Sequence, residues 1–211
     1  MVKGWQNGRW IVSAVCSFQK PEFDQPSHCH RMPMNVLPPE SYPEQEGVYR
    51  ELAAKPGITT ETRLVLLAHA EQIRGFPIEV KTAGSFPTAN GLTEDVFWMR
   101  LKAMPTQDIA FRTCVLAFLS DLNILSTVAR AVSLVRGAAT PNRLSMISSL
   151  DHSVWFYDDD FDLTEWIMFV MVSPLVGKGR GIVYGRLYTR DARLIAIANQ
   201  EGSTGGARSE F

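Results

Sequence analysis

Cysteine is scarce in this sequence, three among 211 residues. Cys16, Cys29 and Cys114 are too few and too scattered for a disulfide framework, and their odd number favours a reducing compartment. An excess of either charge is also missing. The 21 basic side chains stand against 22 acidic ones, a formal net charge of −1 with a pI near 6.4. This balance excludes the long-range field with which a general nucleic-acid binder collects phosphates. Long apolar runs are lacking too. Met1-Val2-Lys3-Gly4-Trp5-Gln6-Asn7-Gly8 has no signal-peptide core, and no stretch reaches the roughly 18 uninterrupted apolar residues of a membrane span. The C-terminal Ser209-Glu210-Phe211 differs from a Ser-Lys-Leu peroxisomal address. The expectation is an intracellular protein, cytoplasmic or peroxisomal, with no membrane span.

What is there is globular material: 45% hydrophobic residues, enough to bury a core and to exclude disorder as the main state. Trp10 to Gln19 is rich in Val, Ile and aromatic residues, and Asn7-Gly8 before it is a tight-turn pair. So few residues precede that turn that its partner strand is expected to be very short or missing. Pro21 to Pro43 holds half of the chain's twelve prolines and reads as an extended connector. Thr59-Thr60-Glu61 predicts a helix start, with Gly75 as its stop.

Beyond Pro77, Ile78 to Thr82 and Val96 to Ala103 predict strands. Ile109 to Val132 predicts one long helix, apolar on nearly every face and therefore buried. After a linker at Gly137 to Asn142, strands are expected at Ser145 to Tyr157, Glu165 to Val172, Gly181 to Tyr188 and Arg193 to Gln200. A buried helix followed by four meandering strands implies an α+β fold in which an antiparallel sheet wraps a helix.

Asp121 is the first candidate for chemistry. Its helical neighbours three and four positions away are Ala117, Phe118, Ile124 and Leu125, an apolar face on which desolvation would raise its pKa and prepare a general base. The alternative is that Ser120 or Asp121 caps a new helix starting at Leu122, with a solvated carboxylate. Asp151-His152-Ser153 has the residue types of a catalytic triad. On a strand, however, His152 faces away from both neighbours, so a structural histidine is the expectation. Gln200 ends a strand, where an amide orients a water or a carbonyl without ionising; an ordinary surface glutamine is the competing reading.

Gly177-Lys178-Gly179-Arg180-Gly181 lacks the spacing of a nucleotide loop and reads as a turn. His28-Cys29-His30 has no second cluster to complete a zinc site, and Asp158-Asp159-Asp160 lacks calcium-loop spacing, so no metal is expected.

In combination, Gln6-Asn7-Gly8, Ser17-Phe18-Gln19, Met32-Pro33 to Pro38-Pro39-Glu40, Leu119-Ser120-Asp121-Leu122-Asn123, Leu150-Asp151-His152-Ser153-Val154-Trp155-Phe156, Tyr188-Thr189-Arg190-Asp191 and Gln200-Glu201-Gly202 carry a family signature. The chain resembles the type II acyl-CoA thioesterases, a double hot-dog family, over nearly its whole length. The resemblance implies two tandem hot-dog units: residues 1–75 as a partial first unit with connector, lacking its opening strands and helix, and residues 76–211 as a complete second unit.

It further implies hydrolysis of an acyl-CoA substrate by a water held by Asp121, Ser149 and Gln200. Ser149 stands where many relatives have threonine. No cofactor is implied, since coenzyme A belongs to the substrate. Outside the motif match, local charge at Lys178, Arg180 or Arg190 is expected to meet the coenzyme phosphates, and a homo-oligomer is expected. The alternatives are a hot-dog remnant that binds acyl thioesters without catalysis or only with a partner, and a thioesterase of secondary, polyketide-type metabolism.

Overall fold

The computed structural model describes residues 1–22, 24–106, 108–134, 142 and 144–206. The expected linker at Gly137 to Asn142 lies, Asn142 apart, outside the described residues, as does Ser209-Glu210-Phe211.

Asn7-Gly8 does make a tight turn, with φ of 49° and 73°, and a partner strand is present. Strand β1 (Val2–Gln6) pairs antiparallel with β2 (Arg9–Ala14) as a separate two-stranded sheet. The connector that follows has no strand among its described residues; it turns at Asp24-Gln25 and at Met34-Asn35 and makes one 3₁₀ turn at Pro39–Ser41. Two helices come next. Helix α1 (Gln45–Ala54) has no counterpart in the sequence reading. Helix α2 (Thr60–Gly75) starts where its cap predicts, the Thr59 hydroxyl accepting from the N–H of Thr62, and stops at Gly75.

The main body is one six-stranded antiparallel sheet made of β3 (Ile78–Pro87), β4 (Thr93–Leu101), β5 (Leu144–Phe156), β6 (Ile167–Gly177), β7 (Arg180–Tyr188) and β8 (Leu194–Gly206). Their order across the sheet is β3-β4-β6-β7-β8-β5. Only β6, β7 and β8 form a simple meander. Strand β5 crosses over to pair with β8, which places it at a sheet edge. The main core lies between the sheet and the helical layer, where Leu116, Leu119, Ile124 and Val128 meet Phe97, Met99, Phe169, Met171, Val183 and Leu187. On the opposite face the Pro-rich connector lies against the sheet: Met32, Val36 and Tyr42 cover Trp98, Met168 and Val170, and the Trp98 indole donates to the carbonyl of Leu37 at 3.2 Å.

The single helix expected from Ile109 to Val132 is two, α3 (Ile109–Asp121) and α4 (Ile124–Ala131). Asn123 breaks it by taking a left-handed φ of 64°, a conformation that asparagine tolerates better than most residues. Nor is the helical stretch buried all round. Ile109 and Phe118 are exposed, because α3 reaches the sheet mainly through Leu116 and Leu119. The edge strand likewise exposes Met146, Leu150, Trp155 and Phe156.

Helix α4 lies close over β7 and β8 because the strands present glycine beneath it. Gly181 and Gly202 are directly paired in register; a Cβ on Gly181 would sit 2.3 Å from Val128 Cγ1, and one on Gly202 would sit 2.5 Å from Leu125 Cδ2. Val128 is β-branched and fully buried, so it has little room to yield. Gly181→Ala is therefore expected to cost about 1–3 kcal/mol in urea unfolding. Gly177→Ala, with open space around its Cβ position, is expected to stay within about 0.5 kcal/mol of the parent. Equal stability of the two variants would contradict this packing account.

Candidate active site

Three side chains expected from the sequence to act together are brought together. Asp121 is the last residue of α3, Ser149 lies on β5 and Gln200 on β8. Gln200 is fully buried, and its Nε2 donates to Asp121 Oδ1 at 2.8 Å and to Ser149 Oγ at 2.6 Å. The opposite amide orientation would set a carbonyl oxygen against the carboxylate, so electrostatics fixes this one. Both amide hydrogens are thereby spent, and Gln200 Oε1 is buried without a partner among the described residues.

Ser149 reaches Gln200 because β5 is irregular. Ser149 pairs with Gly202, Asp151 with Glu201 and His152 with Gln200, so Leu150 is an extra residue. The Asp151 carboxylate accepts from the N–H of Glu201 at 3.1 Å, beside the bulge. In a regular strand Ser149 and His152, three residues apart, would face opposite sides. The bulge turns both toward the helical layer, and His152 Nε2 lies 2.9 Å from Ser120 Oγ. His152 does face away from Asp151, as strand geometry predicts, but it faces this site. Alternation alone could not reveal that, because bulges depend on the partner strand.

Asp121 is exposed, unlike the desolvated carboxylate that helical periodicity predicts. The break at Leu122-Asn123 ends the apolar face that was to have covered it, close to where the capping alternative puts a new helix. Ser149 is exposed too, so the three residues meet at an open surface beside the buried Gln200 amide. Two sizeable cavities lie elsewhere. One of about 500 Å³ is lined by Arg112, Phe161, Trp166 and Arg190, and one of about 580 Å³ by Asp95, Thr127, Arg130 and Leu175. Neither includes the cluster, and its chemistry, more than enclosure, identifies the site.

The basic candidates divide by position. Lys178 and Arg180 sit at the β6–β7 turn; Arg180 pairs in register with Ser203, three residues along β8 from Gln200 and so roughly 10 Å away, and its guanidinium meets Glu201 at 3.2 Å. Arg190 lies at the other end of β7. Its guanidinium makes a two-pronged contact with Glu40 at 2.7 and 3.1 Å, which fixes the connector to the sheet. Backbone hydrogen bonding, and then Arg190, hold the Glu40 carboxyl below the usual carboxylate range. The structure thus does not bring Arg190 to the cluster.

His30 lies against Arg186, with 2.7 Å between Nε2 and Nη1, and Asp158 accepts from Arg193 at 2.6 Å. Among the described residues, no group of three or more His, Cys, Asp or Glu side chains is placed to hold a metal ion.

Comparison with known proteins bears on this geometry. The chain is 31% identical over 206 residues to acyl-coenzyme A thioesterase 8 of Mus musculus, covering 95% of this chain and 61% of that one. It is 29% identical over 206 residues to acyl-CoA thioesterase 2 of Haemophilus influenzae, covering 95% and 66%. The chain thus spans about three fifths of the mammalian relatives' length. In three dimensions it is similar to the acyl-CoA thioesterase II TesB2 of Mycobacterium marinum, with a TM-score of 0.63 and 24% identity over 88% of this chain and 59% of that one. The architecture they share is the hot-dog fold expected from the sequence, here an antiparallel sheet against α3 and α4. Residues 49–204 match the family described as acyl-CoA thioesterase C-terminal domain, and with most of its length so matched the chain belongs to that family.

Proposed function

We propose that this chain hydrolyses acyl-CoA thioesters to a carboxylic acid and free coenzyme A, using a water activated by Asp121. The observation that carries the reading is the forked Gln200 amide, which holds a carboxylate and a hydroxyl to one fixed point. Oδ1 of Asp121 is occupied by Gln200, and Oδ2 remains to accept a proton from water. Ser149 Oγ accepts from Gln200, so its own hydrogen is available to the water or to the thioester carbonyl.

The water oxygen bonds to the carbonyl carbon as its proton passes to Asp121, and the carbonyl becomes an oxyanion held by the Ser149 hydroxyl and backbone N–H groups at the start of α4. Collapse of that intermediate breaks the C–S bond. The thiolate takes the proton back from Asp121, which restores the carboxylate. No metal and no acyl-enzyme enter these steps. Lys178 and Arg180, exposed on the β6–β7 turn, meet the phosphates of coenzyme A.

The test is release of free thiol from short, medium and long acyl-CoAs by the purified chain, with Lys178→Glu/Arg180→Glu as a second arm. Release from at least one chain length, with a KM raised about tenfold or more in the charge-reversed variant, is expected. No release from any acyl-CoA overturns the hydrolytic reading, and an unchanged KM overturns the phosphate contact alone.

A second reading rests on the apolar exposure of Phe118 on α3 and of Leu150 on the edge strand, each within three residues of a cluster member: hydrolysis that requires a second copy of this chain. Specific activity that falls on dilution would favour it.

A further inference from the structure

The Ser120–His152 contact lies beside the proposed catalytic cluster and takes no part in the steps above. Ser120 is fully buried, and its hydroxyl donates to the carbonyl of Ala117 at 2.7 Å. With its only hydrogen spent, Ser120 Oγ can meet His152 Nε2 at 2.9 Å only as an acceptor. Nε2 therefore carries a proton, and it does so in the neutral and in the charged imidazole alike.

The placement of this bond is what gives it meaning. His152 and Gln200 are directly paired across β5 and β8, and Ser120 and Asp121 are consecutive at the end of α3. Two neighbouring strand residues thus hold two neighbouring helix residues, His152 to Ser120 and Gln200 to Asp121. Leu119 and Ile124, both fully buried, anchor the backbone on either side, and the helical hydrogen bonding of α3 ends here, since the chain turns into the left-handed Asn123 two residues after Asp121. Among the described residues, the Ser120 bond is a polar tie from the end of α3 to β5 that leaves the Asp121 carboxylate free of that task.

We infer that His152 is a positioning residue of the hydrolytic site: its Nε2–H, through Ser120, fixes the end of α3 so that Asp121 faces Ser149 and Gln200. This rests on the hydrolytic reading above. Small displacements of a reacting group are costly, a misplacement of about 1 Å amounting to as much as 10²-fold in rate.

The experiment compares thiol release by His152→Leu, His152→Gln, Ser120→Ala and the double variant Ser120→Ala/His152→Leu, with thermal unfolding of each as the control for folding. His152→Leu is expected to lower kcat by about 10–100-fold with KM within a factor of two. His152→Gln, whose Nε2 can occupy the same donor position, should recover most of that loss. Ser120→Ala should match His152→Leu, and the double variant should be no worse than either single one. Because Nε2 donates in both charge states, the pH profile of His152→Gln should superimpose on that of the parent.

Full kcat in His152→Leu, or multiplicative losses in the double variant, would overturn the inference while leaving hydrolysis standing. A pH limb that vanishes in His152→Gln would also overturn it, by making the imidazole a proton carrier. A parent chain that releases no thiol overturns the hydrolytic reading and this inference with it. Should His152→Leu fail to fold, Ser120→Ala and His152→Gln still decide.

Discussion

Asp121→Asn is expected to slow thiol release by about 10²–10⁴-fold while leaving the fold intact. The substitution is chosen so that structure and chemistry separate. Asparagine keeps an Oδ1 that can accept from Gln200 Nε2, so the 2.8 Å bond between α3 and β8 can persist. What it loses is the ability to take a proton from water. Because Asp121 is exposed, the change should alter stability by no more than about 0.5 kcal/mol, readable by thermal unfolding. The loss belongs to kcat with KM little changed, since Asp121 is assigned no contact with the coenzyme. Thiol release continuing at the parental rate would remove Asp121 as the base. Loss of activity together with a large drop in melting temperature would mean that the side chain holds the helix end and does no chemistry.

How much of this was legible in the sequence depended on whether the signal was local. Thr59 with Thr62, and Asn7-Gly8, act over two to four residues, and both structures form where the residues predict them. Helix α1 was missed because Val48, Tyr49 and Leu52 make only a short apolar stripe between Pro43 and Pro56, too brief to register as a period. The break between α3 and α4 escaped for a different reason. Apolar residues continue on both sides of Asn123, and a periodicity count does not register one residue entering left-handed φ.

Strand order was misjudged because a meander assumes that successive strands pair, whereas β5 crosses over to the far side of β8. Asp121 and Gln200 stood out from their local patterns, but Ser149, and the grouping of all three, came through family resemblance, since no spacing rule joins residues from three separate elements. The turn of His152 toward the same site was hidden by the bulge at Leu150, which arises in pairing with β8.

Gln200→Glu is expected to damage both activity and stability, and the stability loss should depend on pH. The parent amide is fully buried and donates two hydrogens, one to a carboxylate and one to a hydroxyl. An ionised carboxylate in its place donates none, lies against Asp121, and has only the Ser149 hydroxyl to turn toward it. Leaving such a buried charge uncompensated costs about 3–5 kcal/mol, so the introduced carboxyl holds its proton in the folded state well above the ordinary glutamate value of about 4.3. The folded chain then binds more protons than the unfolded chain over that interval, so stability must fall as pH rises.

Near pH 4 the variant should lie only about 1 kcal/mol below the parent, the cost of the one hydrogen bond it lacks. From there the gap should widen by about 1.4 kcal/mol per pH unit until the group ionises in the fold. Urea unfolding of both proteins between pH 4.5 and 8 reads this directly. A parent–variant difference that stays constant with pH would show that position 200 is not desolvated against Asp121. The kcat loss at neutral pH, about 10²–10³-fold, follows from the same count of hydrogens. Even the protonated carboxyl has one to give, enough for Asp121 or for Ser149 but not for both, and the fork that sets the water between them is lost.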